Sequence, residues 1–283
     1  MQEDNFTLIE KDLQQIADML LLNGTLTECP GLVHGKMGIA VFFFHYALHT
    51  GEELFADYAM DLIDEMLNQI HVNSLANYER GIAGIGVGID YLIRNSFLNV
   101  EDDICEDLDQ RIVRAVLYDP CEDFSQYNGL TGYGYYWITR LRYEASLIKA
   151  KDCLLRIIVL IEEKLPDIPE KEKTDVYCFL HKLCQIKGFE MFKSLLNQFK
   201  KQTLSDFHRL GNSTVGNLVR MYLQSMYFNC KRKDDIKEAL MQVLALDMEK
   251  PPESTGLLTG YAGEGMLRLT AIEPSNISWI NLL

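Results

Sequence analysis

Gly256-Leu257-Leu258-Thr259-Gly260-Tyr261-Ala262-Gly263-Glu264-Gly265-Met266-Leu267 opens a helix with glycines at turn spacing. The same punctuation recurs at His34-Gly35-Lys36-Met37-Gly38-Ile39-Ala40, Arg80-Gly81-Ile82-Ala83-Gly84-Ile85-Gly86 and Asn128-Gly129-Leu130-Thr131-Gly132-Tyr133-Gly134. Counted from the first glycine of each Gly-x-x-Gly, the heads are Gly35, Gly81, Gly129 and Gly260. The first two steps are 46 and 48 residues, and the remaining gap of 131 has room for nearly three more. Leu210-Gly211-Asn212-Ser213-Thr214-Val215-Gly216-Asn217-Leu218 carries the pattern with Ser213 in place of the first glycine, 47 residues before Gly260. A further, degenerate member is expected within Asp175-Val176-Tyr177-Cys178-Phe179-Leu180-His181.

A repeat of this length is a supersecondary unit that cannot bury its apolar face alone. Each unit reads as two helices. Glycine at a helix start lets backbones approach closely, whereas in the interior it costs about 1 kcal/mol against alanine. Six glycine-headed, strongly apolar helices crowded at one end predict an all-α fold, an α/α toroid of about six helical hairpins. The glycine-headed helices form its inner wall and the amphipathic ones its outer wall.

With 283 residues, 48% of them apolar, and no Pro- or Ser-rich linker, the chain is expected to form one domain over residues 1–283. A formal charge of −14 argues against a nucleic-acid phosphate groove and an anionic membrane surface. No run of apolar residues is long enough to insert into a membrane, and Met1-Gln2-Glu3-Asp4-Asn5 lacks a basic signal-peptide start, so a cytoplasmic protein is the expectation. The seven cysteines are odd in number, contain no Cys-x-x-Cys and are read as free thiols.

In chain order the apolar spacing predicts outer helices over 5–22, 52–71, 102–118, 146–165, 189–199 and 234–246. Inner helices are predicted over 35–49, 82–95, 130–144, 174–186, 214–228 and 261–271. Asn23-Gly24, Thr50-Gly51, Asp119-Pro120, Pro166 and Pro169 supply the stops.

If every inner helix starts at one end of the ring, its leading loops converge on one mouth. Free backbone N–H groups and partial positive charge gather there. That mouth would present His34, Tyr78, Glu79, Arg80, Tyr127, Asn128, Tyr133, Asn212, Thr214, Tyr261 and Glu264, which suit a peptide or a small polar ligand. His34 reads either as a turn residue or as a base, Glu79 with Arg80 as a solvated pair or a clamp, and Glu264 as a dipole complement or a ligand contact. Asp90, inside an apolar helix, needs a partner or a raised pKa. No local motif assembles a catalytic triad.

The recurring glycine-headed segments, with Gly31-Leu32-Val33-His34-Gly35-Lys36-Met37-Gly38 and the terminal Trp279-Ile280-Asn281-Leu282-Leu283, resemble the lanthionine synthetase C-like family over nearly the whole chain. The resemblance implies the α/α toroid and, in the family's cyclases, addition of a cysteine thiol across a dehydrated Ser or Thr of a precursor peptide. It also implies a zinc ion on two cysteines and a histidine that lowers the substrate thiol's pKa. The ligands would come from a Trp-Cys-Tyr-Gly and a later Cys-His-Gly segment. Here Tyr177-Cys178-Phe179-Leu180 keeps one cysteine, while Gly211 and Asn212 stand where cysteine and histidine are expected. Cys178 is thus the one candidate remnant, and no cofactor is predicted. The expectation is a zinc-free component of a peptide-maturation system that binds a peptide or partner protein. Two alternatives remain, a divergent active cyclase and a carboxylate-dependent toroid enzyme such as a glycoside hydrolase. The second would draw on Asp90, Glu79, Glu264 and Asp123, a pair of them roughly 5 to 10 Å apart.

Overall fold

A computed structural model describes residues 2–71, 73–99, 103–199, 206–228 and 254–283. The expected helix over 234–246, and Cys230, lie outside the described residues. The described residues contain helices and turns and no strand. They fall into two compact units, Met1–His71 with Leu210–Leu283, and Val72–Arg209.

The first unit contains α1 (Gln2–Asn23), α2 (Lys36–Thr50), α3 (Glu53–Gln69), α10 (Thr214–Phe228) and α11 (Tyr261–Ile272). Every residue of α2 from Lys36 to Ala47 is buried, as expected of a helix apolar on all sides. The amphipathic α3 covers it with Phe55, Ala59, Leu62, Ile63 and Met66. In turn α11 packs on α2, on α10 and on α1. Arg268 of α11 binds Asp12 of α1 through Nε at 3.0 Å, and both groups are buried. Trp279 is fully buried and donates its indole N–H to Thr270 Oγ1 at 2.9 Å.

The second unit contains α4 (Ile82–Arg94), α5 (Glu106–Val113), α6 (Leu130–Arg140), α7 (Leu147–Lys164), α8 (Glu170–Leu183) and α9 (Lys193–Phe199). The buried helices α4, α6 and α8 adjoin in that order, and each carries an amphipathic partner, α5, α7 and α9. Arg140 ties this unit together. Its guanidinium binds Asp103 and the buried Asp109, which also accepts the Tyr136 hydroxyl at 2.6 Å and the Ser146 hydroxyl.

One local structure recurs at the helix heads. The N–H of the residue after the glycine reaches back seven positions: Lys36 to Cys29 O and Ile82 to Leu75 O at 2.9 Å, Leu130 to Asp123 O at 2.9 Å and Tyr261 to Ser254 O at 3.0 Å. The caps Gly35, Gly81, Gly129 and Gly260 are all extended, with φ between −117° and −136°. Any residue adopts that conformation, so glycine is required for space. A Cβ at Gly35 would strike the Cys29 carbonyl, and the equivalents at the other heads would do the same. In three pairs the second glycine rests on another carbonyl, Gly38 on Leu32, Gly132 on Gln126 and Gly263 on Leu257. Gly216 rests likewise on Leu210, so Ser213 heads its repeat as the spacing predicts.

The degenerate member differs from expectation. Gly86 lies against Tyr136, Gly265 against Phe42 and Gly134 against Phe179. Phe42 and Tyr136 each stand seven residues after their own head, so Phe179 puts the missing head at Glu172, upstream of the expected 175–181 stretch. Glu172 and Asp175 occupy the two glycine positions. Their carboxylates accept the N–H groups of Phe124 and Gln126, both at 3.0 Å. These carboxylates bind the loop before α6, whereas each glycine head closes on a carbonyl of its own loop.

Three boundaries also move. The expected helix over 102–118 is α-helical only over Glu106–Val113, followed by a π-turn, Arg114–Tyr118. Pro120 disfavours helical geometry at Asp119, whose N–H closes instead on Arg114 O at 3.0 Å. The helix expected over 130–144 stops at Arg140, since the chain must turn there for Ser146 to reach the carboxylate that Arg140 holds. The helix expected from 174 starts at Glu170, directly after Pro169, with Glu170 and Glu172 in the first turn complementing the helix dipole.

Candidate functional site

In each unit the loops before successive buried helices lie side by side and are joined through backbone. The carbonyl of Val33 accepts the N–H groups of Leu257 (2.8 Å) and Leu258 (3.2 Å). The carbonyl of Tyr127 accepts those of Tyr78 and Glu79, both at 3.0 Å. The carbonyl of Leu258 accepts the Ser213 hydroxyl at 3.1 Å. Neighbouring helix starts are thereby drawn to one edge within each unit.

On that edge of the second unit, Arg80 and Asn128 are exposed and Glu79 is half-buried. Asn77 orders them, donating through Nδ2 to Asn128 Oδ1 at 2.8 Å and accepting the Arg80 N–H at 3.3 Å. Tyr78 is buried beneath Gly132 and edge-on to Tyr135 at 6.3 Å. Tyr133 is also buried. Desolvation, with Cys121 and Asp123 nearby, pushes its hydroxyl up to about 12, so it stays protonated at neutral pH. A groove of about 280 Å³ opens beside the loop, between Pro120, Cys121, Phe124 and the end of α7 at Leu160 and Lys164.

On the edge of the first unit, Asn212 is exposed, and His34, Tyr261 and Glu264 are half-buried. Gly256 lies against the His34 backbone, so the two loops carrying His34 and Tyr261 touch. Glu264 is bound to Arg268 Nη1 at 2.8 Å in the same network as Asp12. The exposed groups of both edges are hydrogen-bonding side chains, amide and guanidinium, suited to a peptide backbone or a polar ligand.

The donor set that the resemblance implies for zinc does not fit a metal here. A zinc-bound cysteine must be a thiolate. Cys178 is 1% exposed, and desolvation pushes its thiol up against the opposing pull of Arg209. Gly211 has a left-handed backbone (φ 61°) and no side chain, and Asn212 points to solvent as a poor ligand. Among the described residues no three His, Cys, Asp or Glu side chains converge on one point.

What stands beside Cys178 is an ion pair. Arg209 binds Asp175, both nearly fully buried, and the guanidinium lies 5.7 Å from the Tyr127 ring centre and 5.1 Å from that of Phe207. Burial pushes the Asp175 carboxyl up, while Arg209 and the Gln126 N–H oppose this. Sequence reasoning missed Glu172, Asp175 and Arg209. Glu172 falls 43 residues after Gly129, short of the 46 to 48 residues of the other steps, so the spacing did not point to it.

Asp90, singled out as a buried carboxylate in need of a partner, has two. Arg94 Nε binds Oδ2 at 3.0 Å and Arg142 binds Oδ1. No helix of the described residues is long and apolar enough to cross a membrane. In comparison with known proteins, no family model matches this chain and no curated protein matches it.

Proposed function

We propose that the chain is a zinc-free, lanthionine synthetase C-like α/α toroid that binds a peptide or partner protein at the rim carrying its glycine-headed loops. It acts as a recogniser or scaffold in peptide maturation and adds no thiol itself. The observation that carries this reading is the repeated loop joint, Leu257 and Leu258 on Val33, and Tyr78 and Glu79 on Tyr127. A joint repeated with one geometry is what a ring of like hairpins needs, and closure of both units into that ring is part of the proposal. The all-helical content and the pairing of each apolar helix with an amphipathic one support it. Gly211 and Asn212, standing where the resemblance implies cysteine and histidine, support the zinc-free part. The hydrolase alternative finds less support, because Asp90 is held by two arginines, Glu264 by Arg268, and Asp123 caps the Ser125 N–H at 2.7 Å.

The test combines metal analysis of the purified protein with fluorescence anisotropy against a labelled Cys-containing peptide that carries dehydroalanine. The expected result is zinc well below one per chain, and binding weakened several-fold by Arg80→Ala combined with Asn128→Ala, with no thioether formed. Stoichiometric zinc that vanishes in Cys178→Ala, or thioether product, would replace this reading with the divergent cyclase. Failure of the peptide to bind would remove the recogniser role.

A further inference from the structure

Helix α7 is apolar on two faces. Ala150, Cys153, Leu154, Ile157, Ile158 and Ile161 are buried in the core of the second unit. On the opposite side Ile148, Leu155 and Val159 are 75%, 45% and 39% exposed. At 3.6 residues per turn Leu155 and Val159 each lie within about 20° of Ile148, so the three form one stripe about 17 Å long. Exposed apolar side chains on the other long helices do not line up this way. Leu54 and Met60 of α3 lie about 120° apart, and Phe6 and Leu22 of α1 about 160°. Apolar residues scattered singly over a surface need no explanation, whereas an aligned set marks a contact surface.

The charges beside the stripe say what covers it. Lys149 and Lys151 flank its N-terminal end and Glu162 and Glu163 its C-terminal end, all four exposed. Among the described residues none of the four is engaged in an ion pair. Lys151 and Glu162 share one flank of the stripe, and Lys149 and Glu163 share the other. A helix basic at one end and acidic at the other is complementary to itself when reversed. In an antiparallel pairing about a two-fold axis, residues on the same flank face each other. Lys151 then meets Glu162 of the second copy and Lys149 meets its Glu163, each contact made twice. In the same register Leu155 packs on Val159 of the second copy. Parallel pairing would set like charges together. A foreign partner would account for the stripe but not for the self-complementary order of its charges. Asp152 interrupts the stripe, which keeps it short of a full coiled-coil seam and makes the association weak.

We propose that α7 is the contact helix of a reversible homodimer, in which two copies of this chain pair antiparallel with Leu155 and Val159 at the centre and Ile148 at each end. Lys149 and Lys151 against Glu162 and Glu163 set the register. The surface belongs to the second unit alone and stands independently of the proposed rim function.

The experiment is sedimentation velocity of the full chain over a dilution series, at low and at high salt. A monomer–dimer equilibrium in roughly the micromolar range is expected, weakened by salt because its ion pairs are exposed. Leu155→Glu combined with Val159→Glu should weaken it at least tenfold, Asp152→Leu should tighten it several-fold, and Leu54→Glu on α3 should leave it unchanged. A pair of charge swaps gives the decisive readout. Lys149→Glu with Lys151→Glu makes both ends of the stripe acidic, and Glu162→Lys with Glu163→Lys makes both ends basic. Each variant alone should stay monomeric, and the mixture should form a heterodimer at least as tightly as the unaltered chain, which also shows that both have folded. A chain that stays monomeric throughout, a dimer indifferent to the α7 variants, or a charge-swapped mixture that does not associate would overturn the proposal.

Discussion

Asp175 divides its carboxylate between two partners, one oxygen paired with Arg209 and the other accepting the Gln126 N–H at 3.0 Å. The pair joins α8 to the segment ending at Arg209 and to the loop before α6. Removing one member leaves a buried, uncompensated charge, which costs about 3–5 kcal/mol. Arg209→Met should therefore lower the denaturation midpoint strongly. The double variant with Asp175→Asn should lose less than the two single losses combined, as read in a denaturant double-mutant cycle.

Gly263 separates helix propensity from packing. Alanine in a helix interior is worth about 1 kcal/mol over glycine. At this position, however, a Cβ would strike the Leu257 carbonyl and sit 3.1 Å from Val215 Cγ2. The backbone carbonyl cannot yield as a side chain can, so Gly263→Ala should destabilise by about 1–3 kcal/mol. Denaturant titration of the variant would show the sign directly.

His45 is 4% exposed, and burial pulls it from 6.5 to about 4, with Glu273 opposing only in part. The unfolded chain takes up the proton first as pH falls. The stability from keeping the ring neutral is therefore complete above about pH 6.5 and is lost progressively down to about pH 4, on the order of 3 kcal/mol at most. His45→Phe should flatten the stability profile in that window. NMR titration of the native His45 ring should show it neutral at pH 5.5.

Thiol reactivity should follow burial. Cys105, Cys153 and Cys178 are buried, and desolvation raises each thiol, to about 12 for the first two. Cys29 and Cys121 are half-exposed. Limited iodoacetamide treatment of the native protein at pH 8, read by mass spectrometry, should label the latter two well before the former three.

The recurring heads were legible because close backbone approach admits one residue type, and glycine at 35, 81, 129 and 260 announces it. Ser213 was legible by spacing alone. The fourth head was not, because Glu172 and Asp175 stand at its two glycine positions, and a carboxylate in a helical sequence has many readings. Arg94 lies one helical turn from Asp90 and could be paired on sight. Arg142 could not, nor could the Arg140 attachment to Asp109, 31 residues away. Helix ends failed where a tertiary demand overrode local pattern, as at Arg140. The Asp175 and Arg209 pair that stands beside Cys178 left no local trace.

The joints at Val33 and Tyr127 are made wholly of peptide groups, which every amino acid except proline supplies in full. Substitution at positions 34, 80 or 128 would leave that framework standing while recasting the chemistry it displays. Such an edge is a natural starting point for selecting new recognition specificities, in the way a fixed scaffold with randomised tips is used.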